Sequence, residues 1–183
     1  MSQITRSWLS FAAIGAGIVH LALVVSSPLP LAVVMLLLGV SELAWAATVL
    51  IRDRLVLPRV AQVAAFAPVI LWSLLVVGAT LLSAPRIAST LPFIPMGIGA
   101  IFELFIAGVL SVQLRRIADA GRTPQAPKAP SAVRYLSAVI LGGLLVGALA
   151  TPALANTSAG AVAMEHGGTM GGMMNMNMPG MGH

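Results

Sequence analysis

The chain contains no cysteine. That absence excludes disulfides, iron–sulfur clusters and thiolate zinc sites. It leaves methionine as the only sulfur ligand, which forms no disulfide but still oxidises to the sulfoxide. Charge is scarce too: 8% of the 183 residues are Asp, Glu, Lys or Arg, against about 25% in a soluble domain. Catalytic signatures are missing as well. There is no intramembrane Ser/His/Asp set, no HExxH, no phosphate loop and no GxGxxG, so no enzymatic activity is expected.

What is there is hydrocarbon. Hydrophobic residues make up 58% of the chain and the mean hydropathy is +0.99. A water-soluble fold of this size cannot hide so much apolar surface, so the expected solvent is a lipid bilayer. The net charge of +5 does not imply nucleic acid, because nearly all basic residues lie in short gaps between apolar runs.

Four runs are long enough to cross about 30 Å of hydrocarbon as helices: roughly Ser7–Ser26, Pro30–Ile51, Val60–Leu82 and Leu91–Leu114. A fifth, Tyr135–Leu154, is smaller and richer in Ala and Gly. Breakers separate them at Ser26–Pro30, Pro58 and Ser83–Pro85. The expected fold is an all-α integral membrane protein of five transmembrane helices. Arg6, Arg52, Arg54, Arg59, Arg115, Arg116, Arg122, Lys128 and Arg134 fall on one side of the bundle and Arg86 alone on the other. That bias places the N-terminus in the cytoplasm of a bacterial-type plasma (inner) membrane and the C-terminus outside it. Trp8 and Tyr135 fall at the inner interface, which amphipathic rings prefer.

The chain divides into a membrane core over residues 1–116, a Pro-rich cytoplasmic linker over 117–133, a fifth helix over 134–155 and a tail over 156–183. Within the core, Ser41–Ala47 matches Phe102–Gly108 at an offset that also pairs Met35 with Met96 and Arg54 with Arg115. Two helices per unit give units of equal orientation, a parallel repeat over about 7–54 and 60–116. Small residues at Ala13/Gly17 and Gly143/Gly147 mark expected helix contacts. The fifth helix carries a basic flank (Lys128, Arg134), an apolar core and an A-x-A pattern at Ala153–Ala155, in the order of a secretory signal. It reads either as a cleavage site after Ala155 or as an anchoring helix that ends in small residues.

Three ionisable side chains lie inside spans: His20, Glu42 and Glu103. A central charged group costs about 2.5–3.5 kcal/mol to insert, so such groups face the bundle interior and often mark ion or proton paths. The repeat puts Glu42 and Glu103 at similar depth, facing each other. Two such carboxyls cannot both be ionised uncompensated in low dielectric. At about 1.5 Å rise per residue, His20 is expected roughly 9–10 Å above them. The functional reading is a polar track from the tail to His20 and then the Glu42–Glu103 pair, carrying a proton or coordinating a metal. The plainer one is protonated glutamates that hydrogen-bond neighbouring helices. Met35 and Met96 each precede a glutamate by two helical turns, as soft ligands along a path or as packing.

The last twenty residues hold seven methionines and two histidines: Met164, Met170, Met173, Met174, Met176, Met178 and Met181, with His166 and His183. Their neighbours are chiefly Gly, Asn, Thr and Pro, with no Leu, Ile, Val or Phe, so core packing does not explain them. Thioether sulfur selects Cu(I), and imidazole suits copper in either state. Spacings such as Met174-x-Met176-x-Met178 let a segment kept disordered by Asn, Gly and Pro wrap three thioethers round one ion. The tail resembles the Met-rich extracytoplasmic segments of Ctr-type copper transporters and of bacterial copper-resistance proteins. The resemblance implies copper, Cu(I) in particular, as cofactor or cargo. It covers Met164–His183 alone. Ctr-type transporters have three spans and an MxxxM pair in the second, a pattern absent from this core. The alternatives for the tail are a low-complexity linker of no function and an oxidant sink cycling through methionine sulfoxide.

The expected function is copper acquisition, buffering or delivery, with an extracytoplasmic cuproprotein or a membrane oxidase as candidate partner. The alternatives are a proton- or ion-coupled transporter using Glu42, Glu103 and His20, and a non-catalytic accessory subunit of a respiratory complex. A homo-oligomer is compatible with any of these.

Overall fold

A computed structural model describes residues 1–83, 92–119 and 130–168. The described residues form six helices and no strand: α1 (Gln3–Val24), α2 (Leu29–Arg52), α3 (Pro58–Leu81), α4 (Phe93–Asp119), α5 (Ala132–Ala155) and α6 (Ser158–Gly168). The first five are long and apolar enough to cross a membrane. Their starts follow local chemistry. Ser2 caps α1 by accepting from the Thr5 amide, and Ser131 caps α5 by accepting from the Arg134 amide. Pro58, a breaker in the sequence, opens α3 at a position where its missing N–H costs nothing.

α1 is the central helix. Ala12, Ala13, Gly15, Ala16 and Gly17 are all buried, and this small face lets α2, α4 and α5 close in. α1 and α2 are antiparallel and meet at Gly17 and Gly39. A Cβ on Gly17 would stand 2.9 Å from Leu43 Cγ and 3.0 Å from the Gly39 carbonyl oxygen. α5 runs parallel to α1. Trp8 Nε1 donates to the Ala138 carbonyl at 2.9 Å, and Ser7 Oγ lies 3.2 Å from Tyr135 Oη. α3 packs on α4, where Gln62 Nε2 donates to Ser111 Oγ at 2.7 Å. The outward faces of α2, α3 and α5 expose Leu37, Val63, Leu74 and Leu144, as helices solvated by lipid do. Arg6 pairs with Asp53 at the basic end of the bundle.

Three expectations change. Gly143 and Gly147 face open space, with no neighbour near a Cβ built on either. Gly142 instead meets Phe11 and Trp8. A small pair signals close approach only on the face that turns inward, and α5 turns the Gly142 face to α1. α4 continues to Asp119 and α5 begins at Ala132, so both ends of the 117–133 linker are helical. No proline precedes Pro124 there, and Ile117–Asp119 extends the preceding helix. Finally, the 156–183 tail is not disordered throughout: Ser158–Gly168 is helical. Ala-rich sequence favours helix, and the buried Thr157 accepts from the Gly160 amide at 3.1 Å as an N-cap.

Candidate functional site

His20 and Glu42 lie on either side of the antiparallel α1–α2 crossing, where Gly17 meets Gly39 and Leu43 and Gly39 meets Gly17 and Leu21, and their side chains touch. His20 Nδ1 lies 2.9 Å from Glu42 Oε2, and His20 Nε2 lies 3.4 Å from Glu103 Oε1. The expectation that His20 stands 9–10 Å above the glutamates fails for a geometric reason. Side chains on a helix lean toward its N-terminus. On antiparallel helices His20 leans toward the basic end and Glu42 toward the opposite end, and the two lengths close the gap. Glu103, on α4, leans the same way as Glu42. Gly99 lies beside the ring, where a Cβ would be in ordinary contact with His20 Nε2 at 4.0 Å.

The result is a three-residue cluster from three helices, with one ligating atom of each residue within 4.8 Å of the others. His20 and Glu103 are buried and Glu42 is partly so. Glu103 Oε1 makes no hydrogen bond among the described residues. The imidazole lies between two carboxyl groups, with Nδ1 hydrogen-bonded to Glu42 and Nε2 3.4 Å from Glu103 Oε1. In its neutral form one nitrogen donates and the other accepts. An exchange of tautomer moves a proton across the ring, from the side of one carboxyl to the side of the other.

A cavity of about 180 Å³ adjoins the cluster, bounded by α1, α2, α3 and α4. Glu42, Glu103 and Ser41 are its polar lining, and Trp45, Ala61, Ala64 and Ala65 are among its apolar walls. Trp45 is fixed by its indole N–H, which donates to the Val56 carbonyl at 2.8 Å. Sequence reasoning missed Ser41, Trp45 and the alanines. The signal was the i, i+3, i+4 spacing of Ala61, Ala64 and Ala65, which gives α3 one thin face.

Met35 and Met96 are buried with Val19, Leu23 and Ala153 in one apolar cluster, so both serve packing. Of the tail ligands, Met164 is exposed on α6, and His166 Nδ1 lies 2.8 Å from the Val162 carbonyl oxygen of the same helix. α6 rests against α1 and α5, at the end of the bundle nearer His20. Met170, Met173, Met174, Met176, Met178, Met181 and His183 lie outside the described residues. Ala153, in the A-x-A pattern, is helical and buried. No protein-family model, no curated protein and no solved structure matches this chain.

Proposed function

We propose that this chain is a proton- or ion-coupled carrier of a bacterial-type plasma membrane, with His20, Glu42 and Glu103 as its working groups. The reading rests on one observation: an imidazole held between two carboxyl groups from separate helices. A packing role needs one partner per glutamate and does not need the ring. The nine-to-one distribution of basic residues supports an N-terminus in the cytoplasm and a tail outside. The matching Glu42 and Glu103 segments support a parallel repeat. The test is proton flux into liposomes containing the purified chain. Glu42→Gln combined with Glu103→Gln should abolish it, and flux at the wild-type level would discard the reading.

A second reading concerns the tail. Seven thioethers and two imidazoles in twenty residues suit capture of Cu(I), with weak, multiple sites that release it again. The seating of α6 on α1 and α5 favours a role for the tail at the bundle itself. In this reading copper is gathered outside the membrane for acquisition, buffering or delivery to a cuproprotein or oxidase. A purified tail that fails to compete with a chromophoric chelator for Cu(I) would end it.

A further inference from the structure

We infer that His20, Glu42 and Glu103 form a binding site for a divalent first-row transition-metal ion. This rests on the same three residues as the carrier reading and names what they carry.

The donor set comes first. One imidazole nitrogen and two carboxylate oxygens, all within 4.8 Å of one another, suit borderline divalent metals such as Zn(II), Co(II) or Cu(II). No sulfur belongs to the set, since Met35 and Met96 pack with Val19 and Leu23. The cluster thus differs in kind from the Cu(I) ligands of the tail. The 3.4 Å between His20 Nε2 and Glu103 Oε1 is long for a hydrogen bond. It is close to the spacing of two donors about 2.1 Å from one tetrahedral ion.

The second observation is Glu103 Oε1, a buried carboxyl oxygen with no hydrogen-bond donor among the described residues. A polar atom so placed costs free energy unless something satisfies it. His20 Nε2, 3.4 Å away, is on a ring already hydrogen-bonded to Glu42.

Charge balance selects the valence. With a neutral ring and both carboxylates ionised, the cluster carries two negative charges. α3 and α5 bring no titratable group to offset them: Arg59, Arg134 and Tyr135 sit at the basic end of those helices. α6 carries Glu165 and His166 at the opposite end. A divalent ion makes the site neutral and a monovalent ion does not. The adjoining cavity, with Ser41 and both carboxyls on its wall, leaves room for a fourth ligand. An exchanging site keeps such an open position, whereas a structural site is closed.

The experiment is Co(II) binding to the full chain in detergent, with His166→Ser and His183→Ser to remove the tail imidazoles. Thioethers are poor ligands for Co(II). The expected result is one Co(II) per chain and visible d–d absorption of a low-coordinate site. Glu103→Gln and Glu42→Gln, which keep the shape of the side chain, should each weaken binding by at least about tenfold. His20→Gln should change the absorption spectrum. No Co(II) uptake, or uptake indifferent to all three substitutions, overturns the metal site. Proton flux separates the two ideas. If the chain conducts protons and loses flux in the glutamine variants but takes no Co(II), the carrier reading stands and the metal proposal falls.

Discussion

His20, Glu42 and Glu103 reach one another from three separate helices, whereas the methionines and two further histidines follow one another along twenty residues of tail. The first set is built by tertiary structure, enclosed, and made of nitrogen and oxygen. The second is set by sequence proximity and rich in soft sulfur. The contrast teaches how each can be tuned. On the metal proposal, a cluster held by helix packing has a fixed ligand number and would discriminate by valence. On the copper reading, a tail with more ligands than one ion needs would discriminate by softness and pass its ion from one set of sulfurs to the next.

The sharpest way to break this comparison is to remove one region and read the other. Deleting Thr169–His183 should abolish chelator-competed Cu(I) binding beyond what Met164 and His166 retain, and leave proton flux intact. Glu103→Gln should do the reverse. If either change damages both readouts, the two regions form one site and the contrast is false. A smaller effect tests whether the cluster depends on helix packing. Gly17→Leu puts side-chain atoms where Leu43 and the Gly39 carbonyl stand. It should cost about 1–3 kcal/mol, seen as a lower melting temperature in detergent, and should depress flux without touching Cu(I) affinity. Trp8→Phe removes the indole bond to Ala138. It should cost about 0.5–1.5 kcal/mol and loosen α5 in hydrogen exchange while the cluster still works. Smallest and most local is Thr157→Ala. Loss of this cap should cost about 0.5–2 kcal/mol of α6 helix alone, read as faster amide exchange over Ser158–Gly168 with an unchanged global melting temperature.

Much of the fold is legible in the sequence because hydropathy decides it. All five spans coincide with helices, displaced by a few residues at their ends. The ionisable residues stand out for the same reason, since each is costly in hydrocarbon. Their contact does not stand out. Counting residues along an axis locates Cα atoms, while a glutamate and a histidine that lean in opposite directions span the remaining distance. The face of a helix is equally hidden. Gly143/Gly147 and Gly142 are alike in composition, and only the packing of Trp8 and Phe11 shows which one turns inward. α6 escaped notice because Ser158–His166 adjoins a glycine-rich stretch. Its own residues, Ala-rich behind a threonine cap, are helix formers.

The pairing of His20 with partners on α2 and α4 also has an order in time. α1 and α2 precede α4 along the chain, so their Gly17–Gly39 crossing can form before α4 is made. His20 gains Glu42 within that first hairpin, so one nitrogen of the ring has its partner before any other helix is inserted. Glu103 arrives two helices later. The protein thus assembles its centre in two instalments, and the second carboxyl closes a half-built site on a ring already held in place.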